Sequence, residues 1–274
     1  MPDPSAVERH YTRGDLGKRI LDGLSRDGKD TGRLRPEDLA AVDQFHIRGR
    51  VATLALTKLA GIQTGWQVLD VGGGIGGAAR LLASQLRCQV TVLDLTEEFV
   101  RVGAMLCERM DLAGLVHFRH GSALDLPFVN GQFDAVWTQH STMNIEDKQR
   151  LYEEVQRVLR PGGRLAMHEV TAGPGLPALY PTPWADDESA SFLMPQAQLR
   201  KLIAAAGLRE LAWQDVTEPS LEWFKRVAPA AGTPVPPLGM HLLLGEQAPA
   251  MMRGQVRNLR EHRVEVVQAV FERP

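Results

Sequence analysis

The chain has 274 residues, 44% hydrophobic and 23% charged, a balance that excludes a disordered or coiled-coil protein. Its net charge of −2 provides no basic footprint for nucleic acid or an anionic membrane. Two cysteines, Cys88 and Cys107, are too few for a disulfide framework or a thiolate metal site, and both read as small packing residues.

The length fits one large domain or two small ones. No apolar run approaches the ~18 residues of a membrane-spanning helix. Residues 1–10 mix charges with proline and do not read as an apolar leader. A cytoplasmic protein with reduced thiols and no bound metal is expected.

Residues 1–60 read as helical. Leu16, Ile20, Leu21 and Leu24 recur near helical spacing, and 28–32 breaks the pattern. Residues 38–58 resume it, with Val42, Phe45, Val51, Leu54 and Ala55 on the apolar side. After residue 65 the pattern changes. Strands are predicted at 66–71, 89–95, 116–120, 133–138 and 163–170, with helices at 77–87, 97–112 and 147–160. Repeated β-α units imply a mostly parallel sheet with helices on both faces and right-handed crossovers. Residues 171–191 carry Pro174, Pro177, Pro181 and Pro183 and read as an irregular excursion. A helix at 196–206 and a strand at 208–216 follow. The proline-rich stretch 218–239 is predicted to hold no regular element. A helix at 245–262 and a closing strand at 263–271 complete the chain.

Six of the 26 glycines fall within 65–77. Asp70 to Gly77, DVGGGIGG, lies between a predicted strand and helix. Small residues there let a ligand approach the backbone, and the following helix N-terminus favours negative groups. Gly72, Gly74 and Gly77 fit G-x-G-x-x-G, the dinucleotide fingerprint. Asp70, Gly72, Gly74 and Gly76 equally fit D-x-G-x-G-x-G. Asp94 ends the second strand, where a carboxylate can hold ribose hydroxyls. Any adenosine-bearing cofactor, nicotinamide included, remains open on these residues alone.

Four further stretches narrow the reading. VTVLDLT (90–96), GSALDLPF (121–128), FDAVWTQH (133–140) and RVLRPGGRLAMHE (157–169) follow VLDVGGGIGGAAR (68–80) in order. With them the chain resembles the class I S-adenosylmethionine-dependent methyltransferases. The resemblance implies an α/β Rossmann-like, doubly wound, seven-stranded sheet with its last strand antiparallel. It implies S-adenosyl-L-methionine as cofactor and S-adenosyl-L-homocysteine as product. By position, Gly72, Gly74 and Gly76 would line the methionine portion and ribose, with Asp70 at the ammonium. Asp94 would bind the ribose diol, Leu95 the adenine face, and Ser122 and Ala123 the adenine edge. Ser122 departs from the acidic residue that most of the family carries there. Gln139 would pass near the sulfonium centre.

DQFHIRGRVAT (43–53), TQHSTMNIEDK (138–148) and YPTPWA (180–185) resemble the sarcosine/dimethylglycine N-methyltransferase branch, close to phosphoethanolamine methyltransferases. That resemblance implies an N-terminal helical lid at 1–60, with Gln44, His46 and Ile47 against the cofactor. A methyltransferase domain at 61–274 would carry helical and loop insertions at about 171–195 and 218–262 as a substrate cap. The expected acceptor is a small molecule, an amine nitrogen first. O- or C-methylation of a sugar, polyketide or terpenoid is the alternative. Neither nucleic acid nor membrane is an expected partner, and a homodimer stays open.

A hydroxyl or carbon acceptor needs a base. His140 and Glu169 end parallel strands, where open sheets bind ligands, and are the first and second candidates. His168 is expected on the opposite face from Glu169, in helix packing or solvent. Tyr11 is a candidate to cover the sulfonium. Tyr180, Trp184, Trp213 and Trp223 could cage a methylated ammonium or belong to the core. Arg48 and Arg50 could clamp a carboxylate or stay solvated.

Overall fold

The computed structural model describes residues 4–228 and 233–274, with side chains from residue 7 onward. Residues 1–3 of the expected lid and residues 229–232 of the proline-rich stretch lie outside the described residues.

Two helices come first, α1 (Pro4–Tyr11) and α2 (Leu16–Arg26). Leu16, Ile20 and Leu24 are four residues apart, so one stripe of α2 is buried. Helix α3 (Gly49–Ala60) begins eleven residues later than the apolar spacing predicts. Arg48 adopts the left-handed conformation, φ 68°, which no helix continues through. Residues 43–47 therefore leave the helical path and run against the glycine loop. A side chain at Gly77 would overlap the Asp43 carbonyl.

The alternating unit runs β1 (Gln67–Val71), α4 (Gly77–Leu86), β2 (Gln89–Asp94), α5 (Glu97–Glu108), β3 (Val116–His120), β4 (Phe133–Gln139), α6 (Lys148–Val158) and β5 (Leu159–Ala172). Next come α7 (Gln196–Ala205), β6 (Arg209–Asp215), α8 (Thr217–Val227), α9 (His241–Leu244), α10 (Ala248–Arg260) and β7 (Val264–Glu272). The sheet order is β3-β2-β1-β4-β5-β7-β6, and β7 is antiparallel to both neighbours. The seven-stranded sheet with an antiparallel last strand is as expected. Strand order reverses between β1 and β4, which pair at Asp70 and Trp137. That switch point opens a crevice beyond the carboxyl ends of the strands.

Side chains alternate across the sheet, so each strand feeds two cores. Val68, Val90, Ala135, Trp137 and Ala166 pack with α3 and α4 on one face. Leu69, Leu93, Val136, Leu165 and Met167 pack with α6 and α7 on the other. A third cluster joins α2, α5 and α9, and a fourth joins segment 184–185, α8 and α10 over Ile47 and Met143.

Helix α8 corrects the expectation of an irregular 218–239. Pro219 sits in its first turn, where a missing N–H breaks no helical bond. Among the described residues no helix is long and apolar enough to cross a membrane.

Candidate active site

The β1–α4 loop is built by left-handed glycines: Gly72, Gly74 and Gly76 have φ of 68°, 57° and 86°. Gly72 also lies against Ser141, whose hydroxyl donates to the Val71 carbonyl at 2.9 Å. Asp70 sits beneath the loop; a Cβ at Gly73 would stand 2.6 Å from its Oδ2. That oxygen is buried and has no hydrogen-bond partner among the described residues. Burial, then the charge of Asp94, pushes the Asp70 carboxyl up to about 7. Asp94 accepts from the Gly74 and Thr96 N–H groups, both at 2.8 Å. Burial still raises its pKa, because those two bonds only partly replace water. The two carboxylates thus form an electronegative, partly unsatisfied cradle under the loop. Leu95, Ser122 and Ala123 are half-buried, and the Ser122 hydroxyl accepts from Leu124 N–H.

Beyond β4 the chain turns at His140, whose φ is 50°. Its N–H donates to the His168 carbonyl, and its ring stacks on His168 at 4.8 Å between centroids. His46 meets both rings edge-on, at 6.1 and 5.8 Å. His168 bonds the Ile47 carbonyl through Nε2. It therefore occupies the face opposite Glu169, but as a partner of His140 and not as remote packing. His46 Nε2 lies 3.0 Å from the Thr53 hydroxyl, which donates to Gln44 and Gln139. Gln139 also accepts from the Trp137 indole, so its carbonyl is turned into this network. Burial lowers all three histidines, joined by His168 at His46, by Arg48 at His168 and by both other rings at His140: His46 to about 3, His168 to about 4, and His140 well below its ordinary value. His140 Nε2 is buried without a partner among the described residues.

Of this network, Gln44, His46 and His140 line a cavity of about 70 Å³. Gln44, Phe45, His46, Ile47 and His140 form one side, and Tyr11 another. The Tyr11 phenol donates to Asn144 Oδ1 at 3.1 Å, and burial raises its pKa above the ordinary value, so it stays protonated. Asn144 in turn donates to the Trp184 and Ala190 carbonyls, at 2.7 and 2.8 Å. One amide thereby ties α1, the β4 loop and segment 184–190 together. Glu98 does the same at the start of α5, accepting from the N–H groups of Arg13, Gly14 and Leu16.

Glu169 is not at this cavity. It points to the α6 face, fully buried, and accepts from Ser141 and Thr142 N–H at 3.3 Å. Burial pushes it up to about 7, against the pull of Thr138, Thr142 and Lys148. Gln139 pairs with His168, so alternation alone would put His140 on the Glu169 face; the left-handed turn at His140 brings its ring to the His168 face instead. Glu169 holds the backbone of the loop that carries His140. Of the four aromatic candidates, Trp184 and Trp223 line the cavity. Trp213 packs on Phe271 and bonds Gln196, and Tyr180 packs into the cluster behind Trp184. Neither Arg48 nor Arg50 lines it; Arg50 faces Glu37 at 3.8 Å. Phe224, Met143, Met240, Met252 and Gln255 do line it, and no local sequence signal marks them. A wider depression of about 530 Å³ beside α2, lined by Arg19, Arg26 and Pro237, is remote from the loop. No group of metal-ligating side chains occurs among the described residues.

A doubly wound sheet with this loop and cradle at its switch point defines a protein that binds an adenosine-type ligand beside a second, capped cavity. Residues 69–167 match the family model described as "Methyltransferase domain". The chain is 33% identical over 152 residues to a glycine/sarcosine/dimethylglycine N-methyltransferase of Actinopolyspora halophila, covering 56% of this chain and 27% of that one. It is 31% identical over 172 residues to a demethylmenaquinone methyltransferase of Listeria welshimeri, covering 62% and 68%. The chain thus spans about a quarter of the first relative and two thirds of the second. The fold is similar to that of geranyl diphosphate C-methyltransferase from Streptomyces coelicolor, with TM-score 0.72, 19% identity and coverage of 100% and 99%. The chain belongs to the class I S-adenosylmethionine-dependent methyltransferases.

Proposed function

We propose that this chain transfers a methyl group from S-adenosylmethionine to a small molecule held beside His140. The observation that carries the reading is segment 43–47, which abuts the glycine loop at Gly77 and also lines the cavity. Cradle and cavity are therefore two halves of one site.

The cradle fits the donor on its unsatisfied groups. The free Asp70 oxygen suits an ammonium, which would also relieve its repulsion with Asp94. Asp94 suits a ribose diol, with Leu95 at the adenine face and Ser122 and Ala123 at its edge. Gly72, Gly74 and Gly76 keep the backbone open for close approach. Bound S-adenosylmethionine supplies an electrophilic methyl group on a positively charged sulfur. Gln44, His46, Ile47 and Gln139 exclude water from one side and Tyr11 from another, which favours charge dispersal. His140 is neutral at pH 7, and its unpartnered Nε2 is placed to take a proton.

Two acceptor atoms remain in view. A nitrogen acceptor is supported by the resemblance of 43–53 and by the Actinopolyspora relative. Trp184 and Trp223 suit a methylated ammonium through cation–π attraction. An acceptor that must lose a proton, such as a hydroxyl, is supported by His140. Titration calorimetry with adenosylhomocysteine tests the reading. The wild type binds, and Asp94→Ala binds at least about tenfold more weakly, the worth of one charge-assisted pair of hydrogen bonds. A folded wild type that ignores adenosylhomocysteine refutes it.

A further inference from the structure

The residues that line the cavity include no Lys, Arg, Asp or Glu among those described. Its walls are the rings of Trp184, Trp223 and Phe224 and the thioethers of Met143, Met240 and Met252. A carboxylate or phosphate placed here would be stripped of water with no cation to pair it. Arg48, half-buried next to Ile47, is not among the lining residues. Arg50 faces Glu37, and the buried Lys148 ammonium donates to the Thr142 and Ile145 carbonyls on the other side of the loop.

The polar groups tell the same story. Tyr11 donates to Asn144, and Gln44 accepts from Thr53. Of the lining residues, His140 carries a buried side-chain atom without a hydrogen bond among the described residues, its Nε2. One unpartnered ring nitrogen facing an apolar chamber matches a molecule with few polar atoms, one of them a proton donor.

We infer that the acceptor is a neutral, largely apolar molecule whose hydroxyl donates to His140 Nε2. The inference rests on the methyltransferase reading of the same site and narrows it to a substrate class. In the reaction, the hydroxyl oxygen forms the new C–O bond to the methyl carbon. The C–S bond breaks with its electron pair remaining on sulfur, and the hydroxyl proton passes to His140 Nε2. The positive charge lost at sulfur thus reappears on the imidazole. Three flexible methionines let the chamber adapt to the apolar frame.

The test compares 2-naphthol with 2-naphthoate, which share a frame and differ in charge, and with dimethylglycine. Binding to the adenosylhomocysteine complex is read from the fluorescence of Trp184 and Trp223 and confirmed by calorimetry. The expected result is 2-naphthol binding at least about tenfold tighter than either charged compound. His140→Phe should weaken 2-naphthol about tenfold and leave adenosylhomocysteine affinity unchanged. Failure of 2-naphthol to bind, or equal or tighter binding of the charged compounds, overturns the inference. Adenosylhomocysteine binding in the same titration keeps the methyltransferase reading intact in that case; its absence refutes that reading instead.

Discussion

Substituting Gly77 by alanine separates local preference from tertiary contact. Gly77 opens α4 without a positive φ, so on helix propensity alone Gly77→Ala should stabilise by up to about 1 kcal/mol. The surroundings say otherwise. A Cβ there overlaps the Asp43 carbonyl, with that carbonyl carbon 2.7 Å away and Gln44 Nε2 at 3.0 Å. Carbon atoms rest at about 3.5–4.0 Å, so the segment must retreat by about 1 Å. It is pinned against doing so by the Asp43–Arg80 ion pair, 2.9 Å long and fully buried. Overpacking of this kind costs about 1–3 kcal/mol, and breaking the pair would raise that to about 3–5 kcal/mol. The overlap with the carbonyl oxygen calls for the upper part of the overpacking range, about 2–3 kcal/mol, so net of propensity retreat with the pair intact leaves about 1–2 kcal/mol of destabilisation. At about 2–4 °C per kcal/mol for a chain near this size, Tm falls by about 2–8 °C. With Gln44, His46 and Ile47 against the cofactor as proposed, adenosylhomocysteine affinity falls too, because they move with the segment. Thermal unfolding and titration calorimetry read both effects. A Tm at or above wild type with unchanged affinity would refute the reasoning.

Three other outcomes are expected. His140→Gln lowers kcat about 10²- to 10⁴-fold while adenosylhomocysteine affinity is kept, and the wild-type rate shows no acid limb near pH 6.5, since the ring's pKa lies well below that; stopped-time methyl-transfer assays across pH 5–8 check this. Asn144→Ala leaves the Trp184 and Ala190 carbonyls and the Tyr11 hydroxyl without their partner, costing about 1–3 kcal/mol, and hydrogen exchange should quicken at 4–11 and 180–191 but not in the sheet. Stability against pH has two opposing contributions. His46 and His168 titrate near 3 and 4 when folded but near 6.5 when unfolded, so their contribution is full above pH 6.5 and is lost as pH falls. Glu169 titrates near 7 when folded and near 4.5 when unfolded, so its contribution is full below pH 4.5 and is lost as pH rises through 7. Urea unfolding at pH 4.5 to 7.5 should show Glu169→Gln losing less stability than wild type over the upper part of that range.

The strands were legible in the chain because alternation is a local property: Val68, Leu69, Val136 and Leu165 each declare a face by position alone. The glycine loop was legible for a related reason. Left-handed φ at 72, 74 and 76 is a demand that a residue meets by itself, whatever lies elsewhere. Asp94 followed from where its strand ends. Helix α8 was missed because proline was counted without its position in the turn, and the first turn tolerates it.

Other features needed the tertiary structure. The apolar spacing of 38–58 is helical, yet residues 43–47 form bends and a turn because they are held by partners far along the chain, Gly77 and Arg80 among them. His140 and Glu169 look equivalent as strand-end residues, and only the turn at His140 separates a ring at the cavity from a carboxyl that braces its loop. Trp184 and Trp213 are likewise indistinguishable until α8, α10 and segment 184–185 close over one and not the other. The sequence alone thus determined the sheet and the loop, both set by short-range backbone and side-chain rules, while the kind of cofactor followed from the resemblance of the ordered motifs. The chemistry of the acceptor chamber came only with the fold, since its walls are assembled from residues as distant as Tyr11 and Gln255 and its neutrality is a property of the assembly.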